Sequence, residues 1–144
     1  MAYSQILVTT DLSEAGNSVL PGAQELAHKL GARLSILHVL EPEPTIATGL
    51  VPSSDPSRLA DFESEVRDKL EALRGELGLD EATEVVVRRH ASAVEGILEQ
   101  VEADGSDLVV IGTRGRSGLQ RLLIGSVTER VVRPAKVAVL TVKV

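Results

Sequence analysis

The stretch Gly112-Thr113-Arg114-Gly115-Arg116-Ser117-Gly118 alternates glycines with arginines, and Gly125-Ser126-Val127-Thr128-Glu129 follows it. Glycine permits positive φ and lets a ligand approach the main chain closely. Ser126 stands where a short helix is predicted to open. The first N–H groups of a helix are unpaired and carry the positive end of its dipole, which suits a phosphate. A strand end, a glycine loop and a helix N-terminus in succession therefore make a cradle for a small anion. Charge points the same way. Between Gly112 and Arg133 lie five basic residues (Arg114, Arg116, Arg121, Arg130, Arg133) and one acidic residue, Glu129, in a chain whose formal net charge is −6. A solvated arginine face would give the same local count.

The loop is neither of two familiar phosphate cradles. A Walker loop requires G-x-x-x-x-G-K-[ST], and no lysine is present between Gly112 and Gly125. A dinucleotide fingerprint requires G-x-G-x-x-G after the first strand, and there the chain reads Thr9-Thr10-Asp11-Leu12-Ser13. Asp11-Leu12-Ser13-Glu14 reads as a capping box, as does Ser126-x-x-Glu129. His38 ends an apolar run and reads as a core histidine. No residue identifies itself as a catalytic base, and no set of side chains as a metal site.

These groups have to be held by a scaffold. Five short apolar runs read as buried strands: 6–8, 34–39, 85–87, 108–111 and 137–142. Their continuity, rather than alternation, fits a sheet covered on both faces. Helical patterns lie between them. The segment 17–30 closes at Gly31, with Pro21 and Gly22 near its start. Phe62, Val66, Leu70, Leu73 and Leu77 form one stripe behind Asp55-Pro56, and Gly75 and Gly78 mark its end. Val94, Ile97, Leu98 and Val101 form another. Such β-α alternation implies a parallel sheet with right-handed crossovers and helices on both faces. Ligands of these sheets bind beyond the carboxyl ends of the strands, where strand order reverses. The segment 40–55 holds Pro42, Pro44 and Pro52 and has no periodicity.

Composition narrows the classes further. With 144 residues the expectation is one domain, 1–144. There are no cysteines, so disulfides and thiolate metal sites are excluded. Only Tyr3 and Phe62 are aromatic, which argues against a stacking platform for single-stranded nucleic acid. The acidic balance gives no overall field for nucleic acid or anionic lipid. No apolar stretch approaches the ~20 residues of a membrane span. The opening Met1-Ala2-Tyr3-Ser4-Gln5 lacks the basic start of an export signal, so the expected location is cytoplasmic.

Gly112-x2-Gly115-x9-Gly125-Ser126, set in this strand order, resembles the nucleotide loop of the universal stress protein family, in its ATP-binding branch. The resemblance runs along the chain. Ile6 to Asp11 is similar to the family's first strand, Gly31 to Val39 to its second, and Asp107 to Gly118 to its signature. It implies an open five-stranded parallel sheet in order 3-2-1-4-5, Rossmann-like and of the adenine nucleotide alpha hydrolase kind. It implies that Asp11, with Thr9 and Thr10, lies at the ribose and adenine end and that Val39 borders the base. Gly112, Arg114 and Gly115, with Ile111 before them, would wrap the ribose and phosphates. Gly125, Ser126, Val127 and Thr128 would hold the phosphates of ATP, ADP or AMP, often with Mg2+ or Mn2+ carried on them. Relatives commonly dimerise through the last strand, here 137–142. His90-Ala91-Ser92 departs from the family, many of whose members have a glycine in this turn.

Three functions follow from these readings. One is a nucleotide-binding regulatory or signalling module of a stress response. Another is a slow ATPase or nucleotidyl-transfer enzyme. The third is an interaction module of the same fold with no nucleotide, against which the intact glycine spacing argues.

Overall fold

The structure, a computed structural model, describes residues 2–42, 56–113 and 126–144. Its elements in chain order are β1 (Gln5–Thr9), α1 (Glu14–Asn17), α2 (Leu20–Leu30), β2 (Arg33–Leu40), α3 (Pro56–Glu76), β3 (Glu84–Arg89), α4 (Ala93–Asp104), β4 (Leu108–Gly112), α5 (Ser126–Val132) and β5 (Ala138–Val142). The five strands form one sheet in the order β3-β2-β1-β4-β5, every pair parallel. This is the order that the family resemblance implies. β1 is central: Ile6 pairs with Leu34 on one side and Leu108 on the other, and Val8 with Ile36 and Val110.

Strand alternation sorts the core into two layers. Ile6 and Val8 pack with Leu20 and Ala23 of α2 and Val66 and Leu70 of α3. Leu7 and Leu37 pack with Val94, Ile97 and Val101 of α4 and Val131 of α5. Both layers are fully buried at the centre, where Ile6, Leu7, Leu37 and Leu70 have no exposed surface. Burying each such side chain is worth about 1.5–3 kcal/mol.

Three expectations are corrected. The segment 17–30 is not one helix. α1 stops at Asn17, and α2 begins at Leu20 with Pro21 in its first turn. A proline ring clashes with the carbonyl four residues back, so the chain restarts there. Asp11 is not a helix cap either. Ser13 is the N-cap of α1, its hydroxyl accepting from Gly16 N at 3.0 Å. The last strand starts at Ala138 rather than Val137.

The α3 stripe is buried only in part. Val66 and Leu70 are buried, whereas Phe62 and Leu77 are exposed. With 21 residues α3 is about 32 Å long at ~1.5 Å per residue. The six residues of β3 span about 20 Å. The helix overhangs the sheet, and its first turns rise beyond the strand ends.

Candidate functional site

β1 and β4 are adjacent in space, although the chain visits β2 and β3 between them. That reversal creates a crevice at their carboxyl ends. A cleft of about 390 Å³ occupies it, within the usual size range of small-molecule pockets.

One side is the turn that leaves β1. Thr9 and Thr10 are buried, and both border the cleft with Asp11. Thr10 is fastened at every polar atom. Its N–H donates to Leu37 O at 3.0 Å, and its carbonyl accepts from His38 Nδ1 at 2.9 Å. Its hydroxyl donates to Asn17 Oδ1 at 2.6 Å and accepts from Leu12 N at 3.0 Å. Asp11 Oδ1 accepts from the backbone N–H and hydroxyl of Ser13. Leu12 is held at φ 66, a left-handed conformation that costs a side-chain-bearing residue about 1–3 kcal/mol and persists where the surroundings enforce it. Gly16 explains part of the enforcement, because a Cβ there would overlap Asp11 Oδ1. The turn is thus built rigidly around one carboxylate.

The other walls come from β2, β4 and α5. Val39, half-buried near the end of β2, and Ile111, buried at the end of β4, both border the cleft. Gly112 closes β4. Its carbonyl accepts from Thr128 Oγ1 at 2.8 Å, which pins the start of α5 to the strand end. Ser126, Val127 and Thr128 line the cleft from the first turn of that helix. Glu129 turns aside to Arg133, 3.5 Å away. Thr9, Thr10, Asp11, Val39, Ile111 and Gly112 are therefore neighbours of Ser126, Val127 and Thr128 around one cavity. Arg114, Gly115 and Gly125 lie outside the described residues.

His38 is buried in its core role, though it also touches the cleft. His28 pairs with Asp80 at 2.6 Å, on the α2 side of the molecule. His90 accepts from Ser92 N at 3.0 Å, and Ser92 caps α4. The turn that departs from the family pattern is thereby a helix start. Among the described residues no group of three or more His, Asp or Glu side chains is placed to hold a metal ion. A divalent ion here would need most of its oxygens from phosphates and water, as Mg2+ commonly has.

Sequence reasoning missed a wall. Phe62, Val66 and Lys69 of α3 and Ala93 and Ile97 of α4 also line the cleft. The apolar members were legible as helical stripes. Their position beyond the strand ends depends on the overhang of α3.

The family description that matches residues 2–143 is the universal stress protein family. Universal stress protein MJ0531 of Methanocaldococcus jannaschii is 32% identical over 146 residues, covering 98% of this chain and 82% of that protein. The solved structure of MJ0577 superposes with a TM-score of 0.77 at 24% identity, over 100% of this chain and 98% of that one. A universal stress protein in complex with cAMP superposes at 0.66, with 24% identity over 99% and 98% of the two chains. One from Archaeoglobus fulgidus in complex with dAMP superposes at 0.60, with 22% identity over 98% of each. With its strand order, its cleft and its matched length taken together, the chain belongs to the universal stress protein family.

Proposed function

We propose that the cleft binds an adenine nucleotide, ATP in the first place, and that the chain works as a regulatory or signalling module of the stress response whose output follows occupancy. The observation that carries this reading is the convergence of four separate segments, 9–11, 39, 111–112 and 126–128, on one cavity at the switch point of the sheet. Similar structures holding cAMP and dAMP support it. Val39 and Ile111 supply aliphatic walls for a base, in a chain with almost no aromatic residues. Thr9, Thr10 and Asp11 face the ribose. Gly112, Arg114 and Gly115 wrap the ribose and phosphates, and Gly125 to Thr128 take the phosphates, with Mg2+ or Mn2+ carried on them. ADP and AMP share the base and ribose contacts.

Phosphoryl transfer needs an oriented nucleophile as well as charge stabilisation. We propose that hydrolysis is slow at most, far below the ~1–100 s⁻¹ of kinases, because the sequence offers neither a P-loop lysine nor a residue that identifies itself as a base. The proposed protein is cytoplasmic, binds no nucleic acid and forms a homodimer through β5. No described helix is long and apolar enough to cross a membrane.

The deciding experiment has two arms. Mass spectrometry of the denatured, freshly purified protein should reveal co-bound adenine nucleotide. Calorimetry on nucleotide-free protein should show saturable ATP binding that strengthens with Mg2+, and a folded Gly115→Val variant should lose it. Equal affinity in that variant would reject the site, and no binding by the intact protein would reject the function.

A further inference from the structure

Strand alternation divides the cleft in two. On β2, Leu37 and Val39 belong to the layer under α4, with Leu7 and Ile97. Leu40 belongs to the opposite layer, with Val8, Val66 and Leu70. Residues of both layers border the same cavity, so it passes over the crest made by the strand ends. The groups proposed to bind a nucleotide lie along the crest and on the α4–α5 side. The α3 side is lined by Leu12, Gly16, Leu40, Phe62, Val66 and Lys69, none of which that proposal uses.

The chemistry of this side is specific. Phe62, Val66 and Lys69 fall at i, i+4 and i+7, a single stripe of α3. Val66 is buried at its floor, while Phe62, the one phenylalanine of the chain, is 44% exposed. Lys69 is, among the described residues, the one lysine or arginine that borders the cavity, and it makes no hydrogen bond or ion pair with any of them. Cations nearby are engaged elsewhere. Arg74 Nη1 donates to Thr83 O at 2.8 Å, and Arg89 Nε stands 3.0 Å from Glu63. An apolar wall with an aromatic ring therefore ends in an ammonium that has no ion-pair partner among the described residues. Asp11 and Glu41 border the same cavity, so at this side of it a ligand that placed several negative charges beside them, away from the α5 end, would be repelled.

We propose that the α3 side of the cleft is a second binding site, for a small ligand with an apolar or aromatic body and a single anionic end group. The body lies on Leu12, Leu40 and Phe62, and Lys69 Nζ holds the anion. A lysine that only lays its stem along apolar surface is the competing account, and it predicts no preference for charge.

2-Naphthalenesulfonate, titrated into 15N-labelled protein, separates the two, with 2-naphthalenemethanol as the neutral analogue. The expected result is saturable movement of the Leu12, Leu40, Phe62 and Lys69 amides, with Ile97 and Ile111 unmoved. Lys69→Met should weaken the sulfonate by about three- to fivefold, the weight of a part-exposed charge pair, and leave the neutral analogue unchanged. Phe62→Ala should weaken both. Movement centred on Ile97 and Ile111, equal sulfonate affinity in Lys69→Met, or no saturable shift would each overturn the proposal. Saturating ATP should leave the probe bound. Should ATP itself fail to bind, the nucleotide reading falls and the naphthalene titration still decides this one.

Discussion

Gly96 of α4 lies so close to Val39 of β2 that a Cβ at position 96 would stand 2.8 Å from Val39 Cγ1 and 2.9 Å from Cγ2. The helix is docked against the strand end with no room for a methyl group. Val39 is the aliphatic wall of the cleft at that point, so the absence of one side chain on α4 sets the position of another on β2.

Gly96→Ala tests this dependence. Alanine gains about 1 kcal/mol in helix propensity, and overpacking against a stiff β-branched side chain costs about 1–3 kcal/mol. Stability should therefore fall only slightly. Val39, pushed into the cleft, should lower adenine nucleotide affinity by about tenfold, the weight of a ~1.4 kcal/mol contact. Calorimetric titration together with a melting curve measures both. A variant with unchanged affinity would show that Val39 does not shape the bound site.

The hydroxyl of Thr128 carries a second prediction. It donates to Gly112 O at 2.8 Å and is buried, so Thr128→Val keeps the shape and removes the tie between α5 and β4. Losing one such hydrogen bond costs about 1 kcal/mol of stability. The start of α5 should also become less fixed relative to the strand end. ATP binding should weaken more than adenosine binding, since the proposed phosphate contacts sit on that helix. Equal loss for the two ligands would place the phosphates elsewhere.

The sheet was legible because its strands are continuous β-branched runs separated by helical stripes, and because buried parallel strands produce that pattern. The crest of the cleft was legible for a related reason. The strand order that the family resemblance implies sets the ends of β2, β1 and β4 side by side, so Asp11, Val39 and Gly112, far apart in the chain, come to be neighbours. The α3 wall was not legible. Phe62 continues a core stripe in sequence, and only the length of α3 relative to β3 carries it past the sheet. Gly16 and Gly96 were unreadable for a different reason: each matters through the atom of another segment that a Cβ would strike. The break between α1 and α2 was signalled by Pro21, but the capping role of Ser13 in place of Asp11 depended on how the turn after β1 closes.

At the opposite end of the sheet Asp107 ties β1 to β4 and should govern acid sensitivity. Its carboxylate accepts from Ser4 N at 2.9 Å, Ser4 Oγ at 3.0 Å and Gln5 N at 3.1 Å. The Ser4 N–H above all holds its pKa below the ordinary aspartate value, with partial burial opposing. A depressed folded-state pKa means stability that is present above the unfolded value of about 3.9 and is lost as pH falls through the folded one. Asp107→Asn should therefore be destabilised at pH 7, with the gap from the intact protein narrowing toward pH 2. Urea midpoints at several pH values measure it. A gap that stays constant with pH would mean that the charge of Asp107 contributes nothing.

The last prediction concerns β5. In the sheet order it is an edge strand whose paired neighbour is β4, with Val109 opposite Val139. Leu140 is 42% exposed. Natural edges are usually blunted by charge, proline or a cover. Here Pro134, Lys136 and Lys143 stand outside the strand, and its middle is Val139-Leu140-Thr141. Two such edges meeting about a two-fold axis would pair their open backbone groups and form an isologous contact. The protein is accordingly expected to be a dimer at tens of micromolar by light scattering. Leu140→Lys puts a charge in the proposed contact without touching the ladder to β4, and should favour the monomer while leaving the melting curve of the fold largely intact. Val139→Pro removes a backbone donor and should act in the same direction, at a cost to the strand itself. A monomeric intact protein, or a Leu140→Lys variant that dimerises as tightly as the original, would rule out assembly through this edge.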